Sequence, residues 1–326
     1  MEATTAPTMV PDYRHVPGNH CGSTALRNLL AFHGAEISEE MALGLGAGVS
    51  FYYVTLEGSS PSRFTNGRVG RLEQQFVELT AAPIRFETFA DPEASWEAAR
   101  AAVDGGRPAI LLTDLYYLDH YGSSAHFPGH AVVLAGYDAE VAYLSDTSFE
   151  DLQTTRLDSL ATARHGNHPL FQLEGHMFAI GEGAELGDVR EASADAIACN
   201  AKQMLDPPLG EYEGLPALRR FAAEIADWPQ QAEDWQWCAR FCYQVIERRG
   251  TGGGNFRLMY SRFLEEVGHQ QAPLAAEAAG LWTTLAEHLL AASEADEPRP
   301  EIWSGVGAAA AEVLESEERL WPALAR

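Results

Sequence analysis

The residues that suggest chemistry are a cysteine, a histidine and an aspartate, in that order along the chain. Cys21 lies in the segment GNHCGSTALRNLLAFHG, at the start of an apolar run with helical spacing. Pro17 and Gly18 prevent the helix from beginning earlier. A thiol in the first turn of a helix faces unpaired N–H groups and the positive end of the helix dipole, and both favour the thiolate. Cys21 is therefore a candidate nucleophile, with a buried structural cysteine as the alternative.

A catalytic thiol also needs a base, and His130 is the histidine best placed to be one. It begins the strand pattern HAVVLAGYD, and the next strand pattern, VAYLSD, ends at Asp146. An antiparallel hairpin with a three-residue turn at 137–139 would set His130 directly opposite Asp146. The aspartate would then accept a hydrogen bond from the imidazole and fix its tautomer. An even-length turn would instead set Ala131 opposite Asp146 and weaken this pairing.

Two regions of the chain, which differ in their hydrophobic pattern, must position these residues. Up to about residue 185, β-branched and aromatic runs alternate with short amphipathic segments, which predicts an α+β domain over residues 1–185. After GEGAELGD the apolar residues recur with a period near 3.6, which predicts an all-α domain over residues 190–326. In the first domain we predict helices at 21–33, 38–44, 69–79 and 91–104, strands at 50–56, 83–89, 108–114, 130–136, 141–146 and 176–180, and an exposed loop at 59–68. In the second domain we predict helices at 191–205, 214–227, 231–248, 255–267, 273–292 and 300–318.

Composition and charge exclude several classes of protein. The chain has 326 residues, a formal net charge of −25 and four cysteines. The charge argues against binding nucleic acid, and it suits cationic partners such as polyamines or aminosugars, with simple solubility as the alternative. The few cysteines make no disulfide framework and no spacing completes a zinc site, so we predict no metal and no cofactor. No apolar run approaches a membrane span and the amino terminus lacks the features of a signal peptide, so we expect a cytoplasmic protein without membrane contact. The oligomeric state stays open.

Several segments resemble one known family. GNHCGSTALRNLL, SEEMALGLGAGVSFYY and HAVVLAGYD…YLSD resemble the amino-terminal domain of the butirosin biosynthesis protein H family, and GTGGGNFRLMYSRFLEE resembles the helical domain that follows it in many members. The resemblance implies a papain-like first domain and a cysteine-dependent acyltransferase of antibiotic biosynthesis. In the namesake, an acyl group held as a thioester on an acyl carrier protein passes to an amine of an aminoglycoside. By resemblance, Cys21 would be the nucleophile, His130 the general base and acid, and Asp146 its orienting partner. The partners would be an acyl carrier protein and a small-molecule amine.

Further site residues are predicted around these three. The backbone N–H of Cys21 is one candidate oxyanion donor. The second is either His15, six residues upstream where related cysteine peptidases have a glutamine, or Asn19. The glycines of GLGAGVS suggest a tight backbone segment that lines the acyl pocket, or plain turn chemistry. The remaining candidates for substrate binding are Gly46, Gly48, Tyr53 and His126.

The same three residues leave the acceptor open. With water as acceptor, the protein would be a papain-like amidase, peptidase or thioester hydrolase. With an internal carbon or nitrogen nucleophile, it would release a cyclised product. A non-enzymatic binding protein would instead have an ordinary, unreactive thiol, which the pH dependence of alkylation would reveal.

Overall fold

A seven-stranded antiparallel sheet in the first half of the chain and a series of helices in the second half are the main parts of the fold. The computed structural model describes residues 6–168 and 171–326. The fold class predicted from the sequence, an α+β region followed by an all-α region, is confirmed.

The described residues group into two units. The first, here called the sheet unit, comprises Met1–Ala42 and Phe76–Val189. The second, here called the helical unit, comprises Leu43–Gln75 and Arg190–Arg326. The helical unit therefore includes the segment Leu43–Gln75 from the first half of the chain.

The main sheet supplies the frame on which the candidate site is built. The strands are β1 (Thr8–Met9), β2 (Val49–Thr55), β3 (Arg63–Arg68), β4 (Ile84–Glu87), β5 (Ala109–Asp114), β6 (Pro128–Tyr137), β7 (Val141–Ser145), β8 (Gln153–Arg156), β9 (Asn167–His168), β10 (Phe171–Gln172) and β11 (Met177–Ile180). The main sheet has the order β4-β11-β5-β6-β7-β8, and β1 pairs with β6. The pairs β2–β3 and β9–β10 form separate two-stranded sheets. The hairpin of β6 and β7 thus lies next to β5, inside the sheet.

Helices cover the sheet and make up most of the helical unit. They are α1 (Cys21–Phe32), α2 (Glu39–Leu45), α3 (Leu72–Thr80), α4 (Pro92–Asp104), α5 (Leu157–Arg164), α6 (Ser193–Leu205), α7 (Gly214–Glu224), α8 (Trp228–Gln231), α9 (Trp235–Glu247), α10 (Arg257–Glu266), α11 (Ala272–Ser293) and α12 (Pro300–Leu324). In the sheet unit, α1 packs against β5 and β6, and α4 and α5 pack against β5. A buried cluster that includes Leu111, Val132, Leu134 and Leu144 fills the space between α4, α5 and the sheet.

Each helix and strand predicted for the first domain is present, with ends that shift by a few residues. The loop predicted at 59–68 is wrong, because this segment contains β3, which pairs with β2. The alternation of β3 is inverted: its buried positions are held by Arg63, Thr65 and Gly67. A strand whose polar residues face inward does not show the usual hydrophobic pattern. Strand β8 and helix α5 were also not predicted.

A buried ion pair explains why the β2–β3 hairpin belongs to the helical unit. The side chains of Arg257 and Glu317 are both fully buried, with Nε and Oε1 2.7 Å apart. Nη1 of Arg257 donates to the carbonyls of Ser50, at 2.9 Å, and Gly67, at 3.3 Å, one from each strand of the hairpin. The indole N–H of Trp282 donates to the same carboxylate at 2.6 Å. The guanidinium therefore ties the hairpin to three helices through bonds that satisfy its buried charge.

The observed register of β6 and β7 differs from the predicted one. Val133 pairs with Ser145, and the same register carried one residue further would set Asp146 opposite Val132. His130 lies two residues from Val132 and so shares its face of the sheet. The predicted direct opposition of His130 and Asp146 is therefore wrong, and the two are diagonal neighbours on one face.

A β-bulge between Leu134 and Gly136 produces this register. Beyond the bulge, Tyr137 pairs with Ala142 across the turn at 138–141. That outer register, if it continued inward, would turn the aspartate to the face away from the histidine. The extra residue of the bulge restores the parity of the pairing and keeps both side chains on one face.

Candidate active site

Cys21 is the first residue of α1, where the sequence predicts it. His20 is the N-cap, with extended backbone, and its side chain accepts a hydrogen bond from the backbone N–H of Ser23. Cys21 is 9% exposed and is not part of a disulfide. Its place in the first turn sets the sulfur at the positive end of the helix dipole, which favours the thiolate.

The carboxylate of Glu39 organises the start of α1. It accepts hydrogen bonds from the backbone N–H groups of Asn19, at 2.9 Å, and His20, at 2.6 Å, and from the hydroxyl of Thr24, at 3.1 Å. Gly18 makes this approach possible, since a Cβ there would lie 2.8 Å from Oε2 of Glu39. Glu39 thus satisfies orphan N–H groups at the helix start and fixes the backbone that leads into the cysteine.

We predict that Glu39→Ala destabilises the protein by about 3 kcal/mol, because it leaves several buried donors without an acceptor. The free energy of unfolding measured in urea tests this. Glu97→Ala, on the exposed face of α4, is the control and should change that free energy by no more than about 0.5 kcal/mol. Equal losses in the two variants would contradict the role given to Glu39.

His130 lies near the start of β6, where it pairs with Thr113 of β5. Its side chain is 6% exposed, and Nε2 lies 3.0 Å from Oδ1 and 3.1 Å from Oδ2 of Asp146. The ring also forms a hydrogen bond with the thiol of Cys21. Since Nε2 faces the carboxylate, Nδ1 is the nitrogen left for the sulfur. The imidazole therefore stands between the thiol and the acid.

The charges in the site favour an ion pair between His130 and Cys21. Burial alone would lower the pKa of His130, but the Asp146 carboxylate and the Cys21 sulfur outweigh it and raise this pKa to about 10. Burial would raise the pKa of Asp146, but the charge of His130 and the hydrogen bonds from His120 and His130 hold that pKa well below its usual range. An imidazolium beside the sulfur in turn favours the thiolate. At neutral pH the site thus favours thiolate, imidazolium and carboxylate together.

The two candidate oxyanion donors have different surroundings. Both ring nitrogens of His15 are engaged: Nε2 donates to the carbonyl of Phe149 at 2.8 Å, and Nδ1 lies 2.7 Å from the hydroxyl of Ser145. The side chain of Asn19 is exposed, and its amide donates one hydrogen to Glu39 at 3.1 Å. An amide nitrogen carries two hydrogens, so Asn19 retains a second one for a substrate oxygen. The surroundings favour Asn19 over His15 as the side-chain donor.

His126 lies at the same end of the sheet as His130. Its Nδ1 is 2.7 Å from Oδ2 of Asp114, and its ring stacks on Tyr116 with the centroids 4.1 Å apart. Its side chain is 43% exposed. The neighbouring Phe127, itself 39% exposed, packs against the ring of His130. This half-exposed aromatic surface keeps His126 a candidate for contact with an acceptor.

The other candidates for substrate binding lie in the helical unit. Tyr53 is fully buried, and its hydroxyl donates to Glu224 at 2.8 Å and accepts from the indole of Trp228 at 3.1 Å. Gly46 and Gly48 are also buried, and a Cβ on either would collide with the side chain of Leu72. The packing of this unit's core therefore explains why these positions hold a tyrosine and two glycines.

Two residues of the loop that leads to His130 complete the surroundings of Asp146. Nε2 of His120 lies 2.9 Å from Oδ2, and the hydroxyl of Tyr121 donates to Oδ1 at 3.0 Å. Both lie in the polar stretch DHYGSSAHFPGH, which has the composition of a solvent-exposed loop. Their contact with Asp146 becomes visible only in the structure, where this loop folds over the aspartate.

Two further observations concern metal and membrane. Among residues 6–168 and 171–326, no group of three or more His, Cys, Asp and Glu side chains is arranged to hold a metal ion. None of the described helices combines the length and the hydropathy of a membrane span.

The site has the arrangement of a papain-like cysteine enzyme. The cysteine begins a helix that packs against an antiparallel sheet. The histidine lies in one strand of that sheet, and the acid directly follows the adjacent strand. In such sites the acid holds the imidazole in one orientation, and the imidazole exchanges a proton with the thiol.

Two family models match the sequence. The family model for the amino-terminal domain of butirosin biosynthesis protein H matches residues 20–147, and that for a domain of unknown function, DUF4872, matches residues 158–324. No curated protein matches the sequence. A C39-like peptidase from Bacillus anthracis is similar in structure, with 16% identity and a TM-score of 0.39, over 56% of this chain and 100% of that one. The first family model spans the cysteine, the histidine and the aspartate.

Proposed function

Because the chain belongs to the family in which the amino-terminal domain of butirosin biosynthesis protein H precedes a DUF4872 domain, we propose that it is a cysteine-dependent acyltransferase of natural-product biosynthesis. It would take an acyl or aminoacyl group from a thioester on an acyl carrier protein and pass it to an amine. The observation that carries this proposal is the contact of His130 with both the Cys21 thiol and Asp146. Such a contact prepares a thiolate for attack on an activated carbonyl.

In the first step, the thiolate of Cys21 attacks the thioester carbonyl. The backbone N–H of Cys21 and the side-chain amide of Asn19 are the donors proposed for the oxygen that becomes negative. The imidazolium of His130 gives its proton to the departing pantetheine sulfur as the carbon–sulfur bond breaks. One thioester replaces another, so the acyl-enzyme forms at little cost in free energy.

In the second step, the acceptor amine attacks the carbonyl carbon of the acyl-enzyme. Neutral His130 takes the proton from the attacking nitrogen, an amide bond forms, and the sulfur of Cys21 leaves as the thiolate. Asp146 keeps its charge throughout and stabilises the imidazolium each time it forms. The cycle returns the ion pair with which it began.

The choice between amine and water depends on access to the acyl-enzyme. Cys21 is 9% exposed, His130 5% and Asp146 0%, so little of the triad is open to solvent. Limited access of water favours transfer over hydrolysis. The net charge of −25 also favours the approach of a cationic amine. Both observations support transfer to an amine acceptor.

We predict that the protein turns over acyl thioesters of an acyl carrier protein and, with an amine such as an aminoglycoside, yields mainly the amide. Mass spectrometry of the products with and without amine measures the ratio of amide to free acid. Cys21→Ala should give neither product. Free acid alone, at the same rate with every amine, would identify a hydrolase, and a cyclised product without added amine would identify an internal nucleophile; either result would overturn the proposal.

A further inference from the structure

Asp146 is shared by two histidines, although a triad needs only one. Nε2 of His120 lies 2.9 Å from Oδ2, and Nε2 of His130 lies 3.0 Å from Oδ1. The hydroxyl of Tyr121 donates to Oδ1 at 3.0 Å. The carboxylate has no exposed surface. Three donors therefore converge on one buried acid, and the proposed mechanism uses only one of them.

Hydrogen-bond chemistry fixes the proton on His120. A carboxylate only accepts hydrogen bonds, so Nε2 of His120 carries a hydrogen. Nδ1 of the same ring is buried and has no hydrogen-bond partner in the part of the chain that the structure describes. A second proton on Nδ1 would be a buried N–H group without an acceptor, which is unfavourable. The bond from His120 to Asp146 therefore needs only the hydrogen on Nε2.

The loop that carries His120 is anchored immediately before it. The backbone N–H of Asp119 donates to Oγ1 of Thr155 at 2.8 Å. Its carboxylate accepts from the backbone N–H of Arg156 at 2.8 Å and from the hydroxyl of Ser159 at 2.9 Å. These bonds attach the loop to β8 and α5 and so hold the His120 ring, 5% exposed, over the aspartate.

Besides His120, the titratable side chains near the Asp146 carboxylate are those of His130, Tyr121, Cys21 and His15. Burial, followed by the charge of Asp146, raises the pKa of Tyr121, so this phenol remains a neutral donor. The sulfur of Cys21 is hydrogen-bonded to His130, and His130 contacts the carboxylate. On the side of the 145–149 segment, His15 is bonded to Ser145 and Phe149. His120 and Tyr121 therefore donate hydrogen bonds that orient the Asp146 carboxylate and leave it ionised.

We propose that His120 is a positioning residue, which holds the Asp146 carboxylate in the orientation that keeps His130 protonated beside Cys21. The effect of His120 on acyl transfer rests on the proposed function. Its effect on the ion pair of Cys21 and His130 does not, because that pair can be studied without substrate. Without the donor on His120, Oδ2 keeps only its contact with Nε2 of His130 at 3.1 Å, and we expect the carboxylate to lose its fixed orientation toward that ring.

The test replaces His120 by phenylalanine, which keeps a ring but has no donor, and by glutamine, whose amide can donate from the position of Nε2. For each variant, the rate at which iodoacetamide alkylates Cys21 is measured against pH, and kcat/KM is measured with the thioester. His288→Gln in α11 is the matched control. His120→Asn, whose amide is too short to reach the carboxylate, replaces the phenylalanine variant if that variant does not fold.

We expect the upper step of the alkylation profile, where the imidazolium loses its proton, to fall by about one pH unit in His120→Phe. We expect kcat/KM to fall on the order of tenfold, because one hydrogen bond to the charged carboxylate is lost. Glutamine keeps that bond and the control does not touch it, so both should leave the two quantities within about twofold of the wild type. A wild-type profile in folded His120→Phe, or an equal shift in His120→Gln, would overturn the inference. Alkylation needs no thioester, so failure of the wild type to accept thioesters would refute the proposed function and leave this test valid.

Discussion

Asp146→Asn is expected to lower kcat/KM for acyl transfer by about a thousandfold to ten-thousandfold, while the fold is kept. The carboxylate accepts from His130, His120 and Tyr121 at about 3 Å. An amide of the same size has one accepting oxygen and turns an NH2 group toward these donors. It also removes the charge that raises the pKa of His130. Both effects leave the imidazole in the wrong tautomer and orientation to serve Cys21.

Steady-state rates with a carrier-protein thioester measure this loss, and circular dichroism confirms the fold. Asp138→Asn is the matched control, since Asp138 lies in the turn of the same hairpin and accepts from the backbone N–H groups of Glu140 and Val141. It should keep the wild-type rate. A loss below tenfold in Asp146→Asn would show that the acid has no part in orienting the histidine.

His130→Gln is expected to change the pH dependence of the Cys21 thiol as well as to abolish transfer. In the wild type, the raised pKa of His130, about 10, keeps the imidazolium through neutral pH. This imidazolium favours the thiolate below the ordinary thiol pKa of about 8.5. Without the imidazolium, the thiolate fraction falls tenfold for each pH unit below that value, so alkylation at pH 6 should be at least about 100-fold slower.

The rate of iodoacetamide labelling of the Cys21 peptide, from pH 5 to pH 10, measures this effect. Cys21→Ser gives the background from the other three cysteines. The wild-type rate should remain high between the acidic limb and about pH 10, where His130 loses its proton. Parallel profiles for the wild type and His130→Gln would mean that the histidine does not activate the thiol.

The sequence predicts the three reacting residues because each has a local pattern. Cys21 follows a helix-breaking pair and precedes an amphipathic run, while His130 and Asp146 lie at the ends of neighbouring strand patterns. The register between those strands was predicted wrongly, because a β-bulge depends on packing across the hairpin and leaves no clear mark in its own residues. The side chains still meet because the bulge preserves their common face.

Residues that act across the fold could not be predicted in this way. Glu39 looks like an ordinary first-turn acid of α2, and only the packing of α2 beside α1 brings it to the N–H groups before Cys21. His120 lies in a polar loop whose position depends on the bonds of Asp119 to β8 and α5. Neither β8 nor α5 was predicted, so nothing in the sequence showed where that loop would lie.

The most direct test of the account is the position of the acyl group after the protein meets a carrier-protein thioester without amine. Peptide mapping by mass spectrometry should find the acyl mass on Cys21, and that mass should disappear when an amine acceptor is added, as the amide forms. Cys21→Ala should remain unlabelled. An acyl group on another residue, or amide formed at the wild-type rate by Cys21→Ala, would contradict a mechanism in which Cys21 carries the group.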